Sequence, residues 1–192
     1  MLSAFLTSTA IVALAEIGDK TMLLAIVLAA RLRAPVPILF GILVATLANH
    51  ALAALIGREA AALLDSPWFR LAIALGFIAM AAWTLVPDKF DDDDAAVKSR
   101  GGAFLTTLVA FFFVEMGDKT QVATIALGAR YHAVAIVTAG TTLGMMLANT
   151  PAVLFGEALT RRVSLKATRT AAALLFLALG LWQLAEWAGW LR

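Results

Sequence analysis

Cysteine is absent from the 192-residue sequence, and only two histidines occur. The absence of cysteine excludes disulfides, thiolate metal sites and thiol nucleophiles. Charged residues are also scarce, at 15% of the chain, and the 15 Lys and Arg nearly balance the 13 Asp and Glu. This balance gives no reason to expect a nucleic-acid-binding surface.

The sequence is instead strongly apolar, with 62% hydrophobic residues and a mean hydropathy of +0.90. A membrane-spanning helix uses about 20 apolar residues, so a chain of this length holds about six spans and little else. Apolar runs bounded by charges, Pro and Gly predict spans near residues 2–30, 35–56, 67–86, 103–130, 133–156 and 169–190. The sequence therefore predicts an all-α membrane protein with six transmembrane helices and no room for a soluble catalytic domain.

The two halves of the chain align when one is shifted by 99 residues. Residues 4–31 and 103–130 are identical at 13 of 28 positions, which indicates a duplication rather than shared hydrophobicity. Each half contains three predicted spans, and an odd number of crossings inverts the second copy. We therefore predict a three-helix repeat at 1–86, an acidic cytoplasmic linker at 87–102 and an inverted three-helix repeat at 103–192. Inverted repeats are typical of secondary transporters, whose substrate sites lie near the bilayer midplane.

The distribution of Lys and Arg predicts the orientation of these spans. Nine Lys and Arg residues lie in the linker and in the loops that follow the first and fifth spans, all of which face the same side of the membrane. Four lie on the opposite side. The positive-inside rule makes the nine-charge side cytoplasmic and places both termini outside the cytoplasm. The linker also contains four consecutive aspartates at 91–94. They indicate either a solvated loop or a loop that attracts cations or regulates the protein.

One charged motif occurs twice, near the middle of the first and fourth predicted spans. It reads E-I-G-D-K-T at residues 16–21 and E-M-G-D-K-T at residues 115–120. A charge near the bilayer centre costs about 2.5–3.5 kcal/mol on insertion scales, so ionisable residues there are functional candidates. In a helix, each motif places Glu and Asp on one face and Lys one turn after Glu, where the two can pair. The Gly permits a broken turn whose carbonyls add oxygen ligands.

The repeat symmetry predicts that the two motifs meet and form one cation site. They supply four carboxylates and two ammonium groups, from Glu16, Asp19, Glu115, Asp118, Lys20 and Lys119. The resulting formal charge of −2 matches one divalent cation or two protons, which suggests exchange of one for the other. Oxygen ligands with no Cys and little His favour Ca²⁺ or Mn²⁺ over Zn²⁺ or Cu⁺. The structural alternative is that the Glu–Lys pairs only cross-link helices.

Amide side chains extend the candidate metal site. Asn49 and Asn149 occupy matching places in the second and fifth spans, where an amide either hydrogen-bonds between helices or supplies a carbonyl ligand. Gln121 offers a carbonyl ligand, whereas its counterpart Met22 offers a thioether or only packs. His50 is either a packed histidine or a proton relay.

The doubled motif resembles that of a known family. Two E-x-G-D-K-T motifs, one in each three-span repeat, look like the cation/proton exchangers that include the Golgi Mn²⁺/Ca²⁺ transporter, chloroplast relatives and bacterial manganese exporters of the MneA type. The resemblance covers the whole chain and implies a transporter that exports Mn²⁺, in some members Ca²⁺, from the cytoplasm in exchange for protons. It implies that the motif acids are ligands, with supporting roles for Lys20, Thr21, Lys119, Thr120 and Gln121. The first motif departs from the second in having Met22 at the Gln121 position.

The resemblance also bears on location and partners. The chain lacks a long amino-terminal targeting extension, so it is more similar to the short bacterial form, which implies a multi-pass protein of the bacterial inner membrane. The expected partners are a divalent metal cation, protons and the lipid bilayer. No nucleic acid and no cofactor besides the transported ion is expected, and assembly into a homo-oligomer stays open.

Three other classes of membrane protein share some of these sequence features with cation exchangers. An intramembrane aspartyl protease has a G-x-G-D motif, but Glu16 and Glu115 stand where its first glycine would be, so an enzyme is not expected. A small amino-acid exporter of the lysine-exporter type would need donors for a carboxylate, whereas this site has surplus acid. A passive cation channel can also use carboxylates, but it would show no proton coupling.

Overall fold

The computed structural model describes residues 1–63, 66–86, 101–156 and 164–190. Within these ranges every regular element is an α-helix and no strand is formed. The helices are α1 (Leu2–Glu16), α2 (Lys20–Leu32), α3 (Pro35–Leu63), α4 (Pro67–Thr84), α5 (Gly102–Glu115), α6 (Lys119–Tyr131), α7 (Val134–Phe155) and α8 (Leu165–Trp187). The prediction of an all-α protein is confirmed for the described residues.

Three helices in the described ranges are long and apolar enough to cross a membrane. They occupy Pro35–Ala62, Pro67–Thr84 and Lys166–Trp187, whereas α1 and α5 are apolar but shorter. Large apolar side chains, among them Phe113 and Phe155, are exposed on the outer faces of the helices. A bilayer solvates such surfaces, whereas water does not.

The first and fourth predicted spans are each interrupted at the charged motif. Residues 17–19 separate α1 from α2, and residues 116–118 separate α5 from α6. The predicted spans 2–30 and 103–130 are therefore not continuous helices. The broken turn that the motif glycine permits forms in both halves, which shortens α1 and α5.

The motif glycines make these breaks sterically accessible. Gly18 and Gly117 have φ angles of +84° and +81°, in the left-handed region that other residues enter only with strain. Their N–H groups leave the helical pattern and are satisfied by side chains four residues later. Gly18 N–H donates to Met22 Sδ at 3.4 Å, and Gly117 N–H donates to Gln121 Oε1 at 2.7 Å. Met22 and Gln121 thus each accept a hydrogen bond from the motif glycine of their own half.

Helix packing also follows the sequence repeat. Helix α1 packs against α7, α3 packs against α5 and α6, and α4 packs against α8. A Cβ atom on Gly140 of α7 would lie 2.7 Å from the carbonyl oxygen of Phe5 in α1. A Cβ atom on Gly41 of α3 would lie 2.8 Å from the carbonyl oxygen of Phe104 in α5. The same 99-residue offset relates both partners, so the α1–α7 contact recurs as the α5–α3 contact.

Helices α1 and α7 run in the same direction. Gly140 lies beside Ser8, and nine residues further along α7 Asn149 donates a hydrogen bond to Glu16. Residue numbers therefore rise together along both helices. The equivalent pair, α3 and α5, is parallel by the same criterion.

Part of the sequence-based prediction lies outside the described residues. The linker from 87 to 100, with its aspartate run at 91–94, and the loop at 157–163 belong to that part. The boundaries of the two predicted repeats and of the linker therefore stay predictions.

Candidate metal centre

Three acidic side chains, two from the first motif and one from the second, meet inside the helix assembly. Carboxylate oxygens of Glu16, Asp19 and Asp118 all lie within 4.8 Å of one another. The three residues are only 0%, 3% and 4% exposed. Ligand atoms bound at about 2.4 Å from one ion lie at most about 4.8 Å apart, so these three oxygens are close enough together to bind a single cation. The two motifs converge, as the repeat symmetry predicts.

The broken turns hold these acids in place. Glu16 is the last residue of α1, and Asp19 is the N-cap of α2, where its Oδ1 accepts a hydrogen bond from Lys20 N at 2.8 Å. Asp118 is the N-cap residue of α6. The N-termini of α2 and α6 therefore both adjoin the acid cluster, and their partial positive charges stabilise carboxylates there.

Glu115 borders this group of three acids. It is buried, its Oε1 accepts a hydrogen bond from the Thr120 hydroxyl, and it interacts electrostatically with Glu16 and Asp118. Its Oε1 also lies 3.6 Å from Nε2 of His50. The fourth motif acid thus joins the cluster at its edge, where a hydroxyl and an imidazole replace further carboxylates.

Buried oxygen atoms around the cluster retain unused bonding capacity. Among the buried side-chain oxygens of the described ranges that have no hydrogen-bond partner are Glu16 Oε2, Thr21 Oγ1, Glu115 Oε2, Asp118 Oδ2 and Asn149 Oδ1. Burying a polar atom without a partner is costly, and burying a carboxylate without a counter-charge is more so. A bound cation, or protons on the carboxylates, would remove this cost.

At least one of the two motif lysines pairs with an acid of the other motif. Lys20 Nζ lies 3.6 Å from Asp118 Oδ1, an acid of the other motif. The break after α1 removes the helical turn that would have aligned Lys20 with Glu16. Lys119 Nζ donates to the carbonyl oxygen of Val86 at 3.0 Å and lies 6.0 Å from the ring centroid of Trp83.

The two asparagines have different surroundings. Asn149 Nδ2 donates to Glu16 Oε1 at 3.3 Å and to the carbonyl oxygen of Met145 at 3.1 Å. Asn49 Nδ2 donates to the carbonyl oxygen of Phe112 at 2.9 Å, which links α3 to α5. Asn149 therefore contacts the acid cluster, whereas the amide of Asn49 cross-links helices.

On the transport function that the motif resemblance implies, Gln121→Met is expected to leave Mn²⁺ transport within about twofold of the wild-type rate. Gln121 Oε1 accepts from Gly117 N–H, and the Met22 thioether performs the same task in the first half. A methionine at 121 would therefore still satisfy this N–H. The measurement is the initial rate of Mn²⁺ uptake into proteoliposomes. Abolished uptake by a folded variant would instead support the predicted role of Gln121 as a metal ligand.

These features define a class of protein. Membrane-length apolar helices, together with three buried carboxylates close enough to bind one cation, are features typical of a membrane cation transport protein. The sequence profile of a family described as "Divalent cation/proton antiporter GDT1" matches residues 4–92 and again residues 103–190. The chain belongs to this family, which consists of antiporters rather than enzymes.

Similar proteins cover nearly the whole chain. A Vibrio cholerae protein named "Putative manganese exporter" is 46% identical over 182 residues, which make up 94% of this chain and 90% of that protein. "GDT1-like protein sll0615" of Synechocystis is 30% identical over 195 residues, 92% and 94% of the two chains. "GDT1-like protein 5" of Arabidopsis thaliana is 29% identical over 218 residues, 94% and 95% of the two chains. No solved structure matches this chain significantly.

Proposed function

We propose that this protein exports Mn²⁺ from the cytoplasm of a bacterium in exchange for protons. The observation that carries the proposal is the group of Glu16, Asp19 and Asp118, whose carboxylate oxygens lie within 4.8 Å of one another. Family membership supports a divalent cation and protons as the two substrates. The similarity to a protein named "Putative manganese exporter" supports Mn²⁺ as the ion. Ca²⁺ is the second candidate, because oxygen ligands suit both ions.

In this proposal the four motif acids and the Asn149 amide oxygen bind the ion. Buried carboxylates need either a cation or protons, because an uncompensated charge in a low dielectric is too costly. The site therefore holds metal or protons but not both. If the site opens alternately to the two sides of the membrane, each metal ion that leaves is replaced by protons, and transport becomes an exchange.

The remaining candidate residues support the shape of the site in this proposal. Asn49 and Gln121 hold the backbone at Phe112 and Gly117. Lys20 offsets part of the negative charge through Asp118. The hydroxyls of Thr21 and Thr120, the supporting motif residues that follow the lysines, are both buried. Thr120 donates a hydrogen bond to Glu115, whereas the Thr21 hydroxyl keeps its bonding capacity for the site.

The proposal includes six spans in two inverted repeats, 1–86 and 103–192. The first span combines α1 with α2, and the fourth combines α5 with α6. The parallel packing of α1 with α7, and of α3 with α5, supports this arrangement. In a chain of six alternating spans the first and fifth run in the same direction, and so do the second and fourth. The excess of Lys and Arg supports a cytoplasmic linker, both termini outside and a bacterial inner-membrane location.

The test is Mn²⁺ flux in proteoliposomes with an imposed pH gradient. An acidic lumen is expected to drive Mn²⁺ uptake against its own concentration gradient, and a protonophore should abolish that uptake. The membrane potential is clamped with potassium and valinomycin, so that only the proton gradient differs between samples. An Mn²⁺ flux whose rate does not depend on the pH gradient would indicate a passive channel. Transport of lysine without any metal flux would indicate an amino-acid exporter.

A further inference from the structure

His50 is buried at the edge of the acid cluster. Its side chain is 0% exposed, and its Nε2 lies 3.6 Å from Glu115 Oε1. Neither ring nitrogen has a hydrogen-bond partner among the described residues. Leaving a buried polar group unpaired costs about 1–3 kcal/mol, so packing alone is a poor explanation for an imidazole at this position.

The second half of the chain has no equivalent of this imidazole. His50 follows Asn49 in α3, whereas the residue that follows Asn149 in α7 is Thr150. The motif acids are present in both halves, but histidine stands at this position only in the first. The sequence repeat therefore duplicates the motif carboxylates but not this imidazole.

The geometry between His50 and Glu115 suits two ligands of one ion. Two atoms each about 2.2 Å from a metal, and separated by about 110° around it, are about 3.6 Å apart. The observed Nε2–Oε1 separation has this value. The other oxygen of Glu115 has no hydrogen-bond partner in the described part of the chain, and Glu115 interacts electrostatically with Glu16 and Asp118. An ion held between Glu115 and His50 would thus adjoin the three-acid group.

We propose that His50 Nε2 is a ligand of the transported ion on the Glu115 side of the site, and that this nitrogen favours Mn²⁺ over Ca²⁺. Ca²⁺ takes oxygen ligands, whereas first-row transition metals also accept imidazole. Without His50 the site would offer only oxygen atoms, which bind either ion. The inference rests on the proposed function, because it assigns selectivity to the same site.

The direct test is pulsed electron paramagnetic resonance of Mn²⁺ bound to the full-length protein in detergent. A coordinated imidazole nitrogen modulates the Mn²⁺ electron spin echo at ¹⁴N frequencies. We expect this modulation in the wild type and in His132→Asn, and its loss in His50→Gln. The control removes the only other histidine, which lines a separate cavity with Arg70 and Trp187 and has a φ of +53° that asparagine tolerates.

Transport gives a second readout. In proteoliposomes, His50→Gln is expected to lower the preference for Mn²⁺ over Ca²⁺ about tenfold, about 1.4 kcal/mol, while Ca²⁺ competition becomes stronger. His132→Asn should keep the wild-type preference. Equal losses of Mn²⁺ and Ca²⁺ flux in His50→Gln would overturn the inference, since they would point to a general role of His50 rather than to selectivity.

Different experimental results would contradict the role of His50 and the proposed exchange of Mn²⁺ for protons. Wild-type protein that binds and exchanges Mn²⁺ without ¹⁴N modulation would overturn the role of His50 and leave the exchanger intact. Wild-type protein that neither binds nor transports Mn²⁺ would overturn both. The spectroscopic results on the wild type and on His132→Asn decide between these outcomes even if His50→Gln does not fold.

Discussion

Asp19→Asn is expected to lower proton-coupled Mn²⁺ transport by at least about 100-fold, about 2.7 kcal/mol. Asparagine keeps the size of the side chain and one oxygen, but it carries neither the charge that binds the cation in the proposed mechanism nor the proton that replaces it there. Asparagine is as good an N-cap as aspartate, so the start of α2 and the hydrogen bond from Lys20 N should persist. The measurement is the initial Mn²⁺ uptake under an imposed pH gradient. Asp118→Asn should behave in the same way.

Glu59→Gln is the matched control for the loss of one negative charge. Glu59 lies in α3, its side chain is 52% exposed, and it pairs with Arg58 at the surface. Its substitution should leave uptake within about twofold of the wild type, because exposed ion pairs contribute little. The melting temperature of Asp19→Asn should not fall, since removing one of several crowded carboxylates relieves repulsion. A Glu59→Gln variant as inactive as Asp19→Asn would contradict a specific role for the buried acid.

Gly57→Ala is expected to prevent correct packing of α3 against α6. A Cβ atom on Gly57 would lie 2.0 Å from the carbonyl oxygen of Ile125 and 2.8 Å from the amide nitrogen of Ala129. Because both atoms belong to backbone, they move only if the helices separate. We expect a loss of stability of about 3 kcal/mol or more, at the upper end of the overpacking range. Gly128→Ala should be similarly harmful, since its Cβ would lie 2.4 Å from the carbonyl oxygen of Ala54.

Gly76→Ala is the matched control for these glycines. Gly76 also lies inside a helix, but a Cβ there would meet nothing within 4 Å among the described residues. It should leave stability unchanged or raise it slightly, because alanine is the better helix former. The measurement is thermal unfolding in detergent, followed by the fluorescence of the five tryptophans. A Gly57→Ala variant that melts like Gly76→Ala would show that α3 and α6 are not held at backbone contact.

The sequence repeat predicted that acids of the two motifs meet, and Glu16, Asp19 and Asp118 do lie within 4.8 Å of one another. Symmetry-related copies of a motif are neighbours only if the motif lies near the symmetry axis, so the proximity of Asp19 and Asp118 could be expected only on the assumption of a site at the axis of the inverted repeat. Hydropathy likewise predicted the helical class, because 62% hydrophobic residues leave few other ways to satisfy the backbone in a bilayer. These predictions depend on composition and repetition, which are visible along the chain.

Pairings that cross between helices were not predictable in the same way. The spacing of Glu16 and Lys20 suggested a pair on one continuous helix, but the break at Gly18 separates them, and Lys20 pairs with Asp118 instead. The sequence permitted this break without requiring it. The positions of His50 beside Glu115 and of Lys119 over Trp83 likewise depend on how separate helices pack.

By itself the sequence determined that this protein is helical, duplicated and acidic at two matching apolar positions. It did so because hydropathy, repetition and glycine placement are local properties of a chain. Only the tertiary structure decided which acids lie close enough to bind one cation and that the imidazole of His50 lies beside Glu115. The physical reason is that Asn149 and Glu16, or His50 and Glu115, are far apart in the chain and become neighbours only through glycine-mediated helix contacts.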